Sequence, residues 1–209
     1  MPATALRNSI EQIRLRYQRL APIYPLFELV FLLPRGIRRR AVDRLGLAPE
    51  DCVLEVGCGT GRYLRYLAEV VAEIGRVYAL DCCEEMLRKA RRLCQRSGWK
   101  NVALLNQDAA QLELPGMVDG VLFSLSYSVM PDPRAAVEAA WKYLRPGRSL
   151  VIMDGKLARG ICGRLLRPWV SWLSKKTILG DPMRLPWNDL HGLDAKVEIE
   201  GVNFGTYYI

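Results

Sequence analysis

The chain has 209 residues, half of them hydrophobic, with a formal net charge of +8, which suits one globular domain with a full core. No apolar run reaches the roughly eighteen residues of a spanning helix, and the N-terminal MPATALRNSIEQIRLRYQ carries charges where a secretory signal needs an apolar core. Neither a membrane span nor a leader is therefore expected, and the expected location is the cytosol.

The six cysteines, Cys52, Cys58, Cys82, Cys83, Cys94 and Cys162, show no CxxC spacing, and His191 is the single histidine. They read as reduced, mostly buried small residues without a metal or disulfide role. The charge is uneven: residues 1–50 sum to +5, residues 51–154 to 0 and residues 155–209 to +3. A basic excess confined to the flanks is either an ordinary soluble surface or an attraction for an anionic partner.

In chain order, Pro34 opens a basic helix, GIRRRAVDRLGL, that ends near Gly46. CVLEVG (52–57) is a continuous apolar run of strand type, and 61–74 is helical, with Leu64, Leu67, Val70 and Val71 on one face. RVYALD (76–81) is the next strand. The helix EEMLRKARRLCQR follows with acidic residues first and basic residues last, the order the helix dipole favours. NVALLNQ (101–107) and DGVLFSL (119–125) are the third and fourth strands. Pro131-Asp-Pro starts the helix RAAVEAAWKYL, the Pro-Gly pair at 146–147 stops it, and SLVIMD (149–154) is the fifth strand.

In the tail, GICGRLLRPWVSWLSKKTIL predicts a helix bent or broken at Pro168, and KVEIEG with NFGTYYI predicts a closing antiparallel hairpin. The chain stops at Ile209 within strand-like residues, which reads as a C-terminal truncation. The alternation implies an α/β, Rossmann-like, doubly wound and mostly parallel seven-stranded sheet with an antiparallel edge hairpin. Residues 1–45 form an N-terminal helical cap and residues 46–209 one globular unit.

The stretch VLEVGCGTG (53–61) turns the first strand into its helix, where ligands of open α/β sheets bind. Gly57, Gly59 and Gly61 suit that turn because a Cβ would block positive φ angles or the approach of a ligand to the backbone. A dinucleotide fingerprint needs its third glycine at position 62, which is Arg62, and a P-loop needs Gly-Lys-Ser/Thr, which is absent. The pattern Glu55-x-Gly57-x-Gly59-x-Gly61 instead resembles the first motif of class I S-adenosylmethionine-dependent methyltransferases.

The resemblance spans roughly residues 45–155 and implies a cofactor, S-adenosyl-L-methionine, together with the residues that hold it. Glu55, Gly57, Cys58, Gly59 and Gly61 form the cofactor turn. Asp81 matches the acid that takes both ribose hydroxyls, with Cys82 following it, and Met86 matches an apolar residue packed on adenine. Asp108 matches the acceptor of the adenine amino group, and Ala109 adds a backbone N–H. SLSYSVMPD (124–132) matches the fourth motif, with Ser124 and Ser126 at the cofactor and Ser126, Tyr127 and Met130 facing the methyl group. Arg148 replaces the second glycine of the common LxPGG turn.

YQRLAPIY (17–24) resembles the YxxxAxxYD element of lipid, quinone and small-molecule methyltransferases, in which aromatics close over the sulfonium. That implies Tyr17 and Tyr24 beside the methyl group, although Pro25 replaces the usual Asp. The nucleic-acid amino methyltransferases carry Asn/Asp-Pro-Pro-aromatic in the fourth motif; its absence, and the lack of a cysteine there, disfavour nucleic acid as substrate.

Two stretches bear on the acceptor. Residues 22–34 hold one charge, Glu28, and are followed by four arginines in six residues, while RLLRPWVSWLSKK sets Trp169 and Trp172 among Arg164, Arg167, Lys175 and Lys176. Either both cap the core, or they lie in the headgroups of an anionic inner membrane surface. Arm and core look most like phosphatidylethanolamine N-methyltransferases and ubiquinone/menaquinone C-methyltransferases, so the expected acceptor is a lipid or other hydrophobic small molecule, an amine phospholipid first. A quinone or soluble acceptor, or a non-catalytic cofactor-binding protein, are the alternatives. His191 and Asp154 are further candidates, for a base and for an amine-orienting group, against ordinary surface and capping roles.

Overall fold

The computed structural model describes residues 3–20, 33–34, 36–156, 168, 180–181, 184–190, 193, 195–202 and 206–209, with side chains from residue 10 to residue 19 of the first helix. Tyr24, Trp169, Trp172, His191 and the helix expected over 160–179, Pro168 apart, lie outside the described residues.

The chain begins with α1 (Ala3–Leu20) and α2 (Ile37–Asp43), then alternates β1 (Cys52–Val56), α3 (Leu64–Val71), β2 (Arg76–Asp81), α4 (Glu84–Ser97), β3 (Val102–Asn106), β4 (Val118–Ser124), α5 (Pro133–Trp141) and β5 (Leu144–Gly155). A short helix α6 (Trp187–Leu190) precedes β6 (Gly201–Val202) and β7 (Tyr207–Tyr208). The seven strands form one sheet in the order β3-β2-β1-β4-β5-β7-β6. β1 to β5 pair in parallel, and β7 is antiparallel to both β5 and β6. This is the Rossmann-like, mostly parallel sheet with an antiparallel edge that the alternation implied.

Each face of the sheet is covered because its strands are apolar on both sides, as buried parallel strands must be. Val53, Val77, Ala79, Leu122 and Met153 pack with α2, α3 and α4 on one face. Leu54, Val56, Val121, Phe123 and Ile152 pack with α5 and Tyr208 on the other. The order reverses between β1 and β4, so the carboxyl ends of β1, β2 and β4 open a crevice at that point.

Several boundaries differ from the sequence expectation for local reasons. α3 starts at Leu64 instead of Gly61, since Gly61 has φ +84° and cannot begin a right-handed helix. β5 begins at Leu144, ahead of the Pro-Gly pair, because Leu144 already pairs with Val118 and the register shifts between Val118 and Gly120. The closing hairpin shrinks to two residues per strand.

Arg148, where the family turn has glycine, ties the amino ends of the strands together. Its guanidinium donates to both carboxylate oxygens of Asp51 at 3.2 and 3.1 Å and lies 3.2 Å from Asp119, which also accepts from Arg145 at 2.6 Å and from the Cys52 N–H at 2.9 Å. Burial opposes ionisation of Asp119, but the Cys52 N–H and the two arginines outweigh it and hold its pKa below the ordinary value. Removing the carboxylate leaves the Cys52 N–H without its acceptor, while Arg148 keeps Asp51 and the half-exposed Arg145 turns to water, so Asp119→Ala should cost about 1 to 3 kcal/mol in urea unfolding at neutral pH. Because the folded-state pKa is depressed, the contribution is present above the unfolded value and lost as pH falls through the folded one; the difference between wild type and variant should therefore shrink in acid.

Candidate active site

The crevice is lined by the carboxyl ends of four strands with the turns that follow them, and by α1. The turn after β1 supplies Gly57, Cys58 and Gly59, the end of β2 supplies Asp81 and Cys82, and the turn after β3 supplies Gln107, Asp108 and Ala109. The end of β4 and its loop add Ser124, Leu125, Ser126, Val129, Met130 and Pro131, and α1 adds Ile10, Ile13 and Tyr17.

Two glycines in the turn are dictated by space as well as by φ. Gly57 has φ +75°, and a Cβ there would lie 2.4 Å from the Ser126 Cβ. At Gly61 a Cβ would lie 2.7 Å from Leu64 Cδ1, so the turn could not fold onto α3. Gly59 differs: its missing Cβ would meet nothing within 4 Å, so its backbone faces the crevice and a ligand can approach it closely.

Asp81 joins two turns. One carboxylate oxygen accepts the Gly59 N–H at 2.8 Å and the other accepts the Cys83 N–H at 2.8 Å. Each oxygen has a second lone pair, so the group can still serve a vicinal diol from the crevice side. Burial raises its pKa, and the N–H groups of Cys83, Gly59 and Cys82 oppose that rise. Asp108 caps the short turn after β3 by accepting the Ala110 N–H at 3.1 Å and stays on the crevice wall. This donor and acceptor set fits an adenosyl ligand, with the ribose at Asp81 and the base near Asp108 and Ala109.

Beneath the turn, Glu55 is buried, accepts the Ser124 hydroxyl at 2.9 Å through one oxygen, and has no hydrogen-bond partner for the other among the described residues. Burial is the main reason its pKa rises to about 8, with the Asp81 charge adding to the rise and the Ser124 hydrogen bond opposing it. Burial likewise pushes the Cys58 thiol well up and the Cys82 thiol to about 12. Both thiols are thus protonated at neutral pH and are poor nucleophiles.

Most of the expected cofactor residues meet here, but two assignments need correction. Met86 does not line the crevice; it is buried behind the wall against Cys83, with Tyr17 packed on them both. Tyr127 does not face the methyl position either. A single 3-10 turn at Tyr127–Val129 carries its ring into the core beside Phe123 and Tyr208, and its hydroxyl donates to Asp189. Glu55 supports the turn from below without reaching the crevice. Asp154 is buried, accepts the N–H groups of Ser128 at 2.9 Å and Gly155 at 2.7 Å, and does not line the crevice.

Several lining residues had no sequence motif, among them Arg38, Arg62, Tyr63 and Gln107. Ile10, Ile13 and Tyr17 were legible in principle, since their i, i+3, i+7 spacing puts them on one helix face.

Two measurements test this site. Asp81→Ala should weaken binding of S-adenosylhomocysteine about 10- to 150-fold in calorimetry, the loss of one or two charge-assisted hydrogen bonds; unchanged affinity would refute the ribose assignment. For Glu55, the folded-state pKa lies above the ordinary carboxylate value, so its favourable contribution is complete below that value and is lost as pH rises through about 8. Glu55→Gln should therefore flatten the decline of stability with pH across that window, read by denaturant midpoints at successive pH values.

Comparison with known proteins agrees with this geometry. A family described as a methyltransferase domain matches residues 53–147. The demethylmenaquinone methyltransferase of Desulfitobacterium hafniense (strain Y51) is 26% identical over 155 residues, covering 73% of this chain and 59% of that protein. The nocamycin O-methyltransferase of Saccharothrix syringae is 32% identical over 158 residues, covering 73% and 52%; the chain thus spans somewhat over half the length of these relatives. The crystal structure of a SAM dependent methyltransferase from Aquifex aeolicus superposes with a TM-score of 0.65 at 25% identity, over 84% of this chain and 89% of that one. That protein shares the fold over most of both chains and is named for the cofactor that the turn after β1 is shaped to take, and on that agreement residues 53–147 are a methyltransferase domain of the S-adenosylmethionine-dependent kind.

Proposed function

We propose that the chain transfers a methyl group from S-adenosylmethionine to a small hydrophobic acceptor of the quinone type. The observation that carries this reading is the apolar share of the crevice lining. Beside the acidic Asp81 and Asp108, it is built from Ile10, Ile13, Tyr17, Val129, Met130 and Pro131. Such a lining holds an apolar ring by burial. Several relatives are named for demethylmenaquinone, in agreement with a ring acceptor.

The bound cofactor supplies an electrophilic methyl group on a sulfonium. The chain has to hold the acceptor in line with it and exclude water, and such orientation is worth roughly 7 to 11 kcal/mol of barrier. Asp81 and the glycine turn hold the adenosyl end, the loop after β4 forms one wall, and α1 covers the opening. Tyr17, which lines the crevice and packs on the Cys83 and Met86 cluster, is proposed as a cation–π partner of the sulfonium, worth about 0.5 to 2 kcal/mol. Tyr24 is proposed to share this role.

No observation favours an amine phospholipid or a membrane seat over this reading. Two of the arginines expected to meet an anionic surface are engaged within the protein: Arg39 with Asp43 and Glu69, and Arg40 with Glu200. None of the described helices is long and apolar enough to cross a membrane.

The test is transfer of label from methyl-labelled cofactor to a demethylated quinone, to phosphatidylethanolamine vesicles and to soluble phenols, in parallel. Label in the quinone is expected. Label only in the phospholipid would replace the reading with amine methylation, and cofactor binding without transfer to any of the three would point to a binding protein.

A further inference from the structure

The loop after β4 forms a wall of the crevice, and part of it is held in an unfavourable shape. Leu125 has φ +52°, in the left-handed region that a branched side chain rarely adopts. Such a conformation persists only where the surroundings over-determine it. From the sheet side they do: the Leu125 N–H donates to the Met153 carbonyl at 2.8 Å, the Ser126 hydroxyl to the Val56 carbonyl at 2.6 Å, and the Ser128 N–H to Asp154 at 2.9 Å.

A second set of contacts reaches the same loop from outside. The Asp181 N–H donates to the Ser128 carbonyl at 3.0 Å, the Arg184 guanidinium donates to the Met130 carbonyl, and the Tyr127 hydroxyl donates to the Asp189 carboxylate. Gly180 sits so close that a Cβ there would lie 1.9 Å from the Ser128 Oγ. These partners are 54 residues apart in sequence for Met130 and Arg184 and 62 for Tyr127 and Asp189. None of the four outer residues lines the crevice itself.

We infer that Gly180, Asp181, Arg184 and Asp189 form a positioning clamp, which acts through the loop from Leu125 to Pro131 to hold that wall of the crevice against bound ligand. The inner hydrogen bonds tie only the root of the loop to the sheet. Its tip, where Val129, Met130 and Pro131 meet the crevice, takes a long-range bond from Arg184. Ordinary packing of the tail would stabilise the whole domain; a clamp loosens one loop and one binding site when removed. Its consequence for the ligand rests on the methyl-transfer reading, whereas its effect on the loop does not.

The experiment combines hydrogen exchange by mass spectrometry with titration of S-adenosylhomocysteine, on the full chain, for wild type, Arg184→Ala, Arg184→Lys and Asp189→Ala. Exchange across 125–131 should quicken by about tenfold in the two alanine variants while β1 and β2 keep wild-type protection. S-adenosylhomocysteine affinity should fall about 3- to 10-fold, within the range of a local coupling, and Arg184→Lys should recover most of it. Unchanged exchange in the loop, protection lost evenly over the sheet, or a loosened loop with unchanged affinity would each overturn the clamp. If the wild type itself fails to bind S-adenosylhomocysteine, the methyl-transfer reading falls, and the exchange comparison still decides whether the loop is clamped.

Discussion

The Asp81 carboxylate at the end of β2 holds the turn after β1 through the Gly59 N–H and its own βα turn through the Cys83 N–H. Without it two neighbouring loops at the carboxyl edge of the sheet would be set independently. With it, the left-handed backbone at Gly57, Gly59 and Gly61 is fixed relative to the end of β2. The same group adds its charge to the burial that raises the pKa of Glu55 beneath it and of Cys58 and Cys82 beside it. Structure and ligand recognition thus share one carboxylate, which buries part of its charge to order the turn and keeps lone pairs for the crevice.

The two edges of the sheet are built by opposite means. The amino ends of β1, β4 and β5 are pinned by charge, with Arg145 and Arg148 on Asp51 and Asp119. The carboxyl ends are shaped by backbone geometry: glycine turns, a left-handed Leu125 and buried acids accepting main-chain N–H groups. A rigid far edge lets the near edge carry strain and a partly unsatisfied Glu55 without loss of the fold. Around that near edge, α1 and the residues Gly180, Asp181, Arg184 and Asp189 act as two outer supports, one covering the crevice and one bracing its wall.

How much of this could be read in advance depended on the range of the interactions. The strands were legible because each is a continuous apolar run, and the glycine turn because positive φ angles demand a residue without a Cβ. Asp81 and Asp108 were legible because a parallel strand delivers its next residue to the carboxyl edge. Met86 and Tyr127 were misread for the same reason in reverse. Each sits one turn beyond a strand, where a helix or 3-10 turn decides which way the side chain points, and both point into the core. Arg148, which the sequence showed only as a replacement of a turn glycine, became the centre of an ion-pair cluster because Asp51, just before β1, and Asp119, on β4, come to it from distant parts of the chain.

The sequence by itself determined the strand order of chemistry along one edge and the cofactor that edge can take, because strand periodicity and glycine conformations are local properties of the chain. Tertiary structure alone decided which flanking residues complete the crevice. Tyr17 was expected there from its motif, but Arg38 from the N-terminal side and Arg184 and Asp189 from the tail act on the crevice or its wall only once the sheet brings them together. Contacts between segments dozens of residues apart leave no spacing signal, and their geometry is set by how helices and loops pack on the finished sheet.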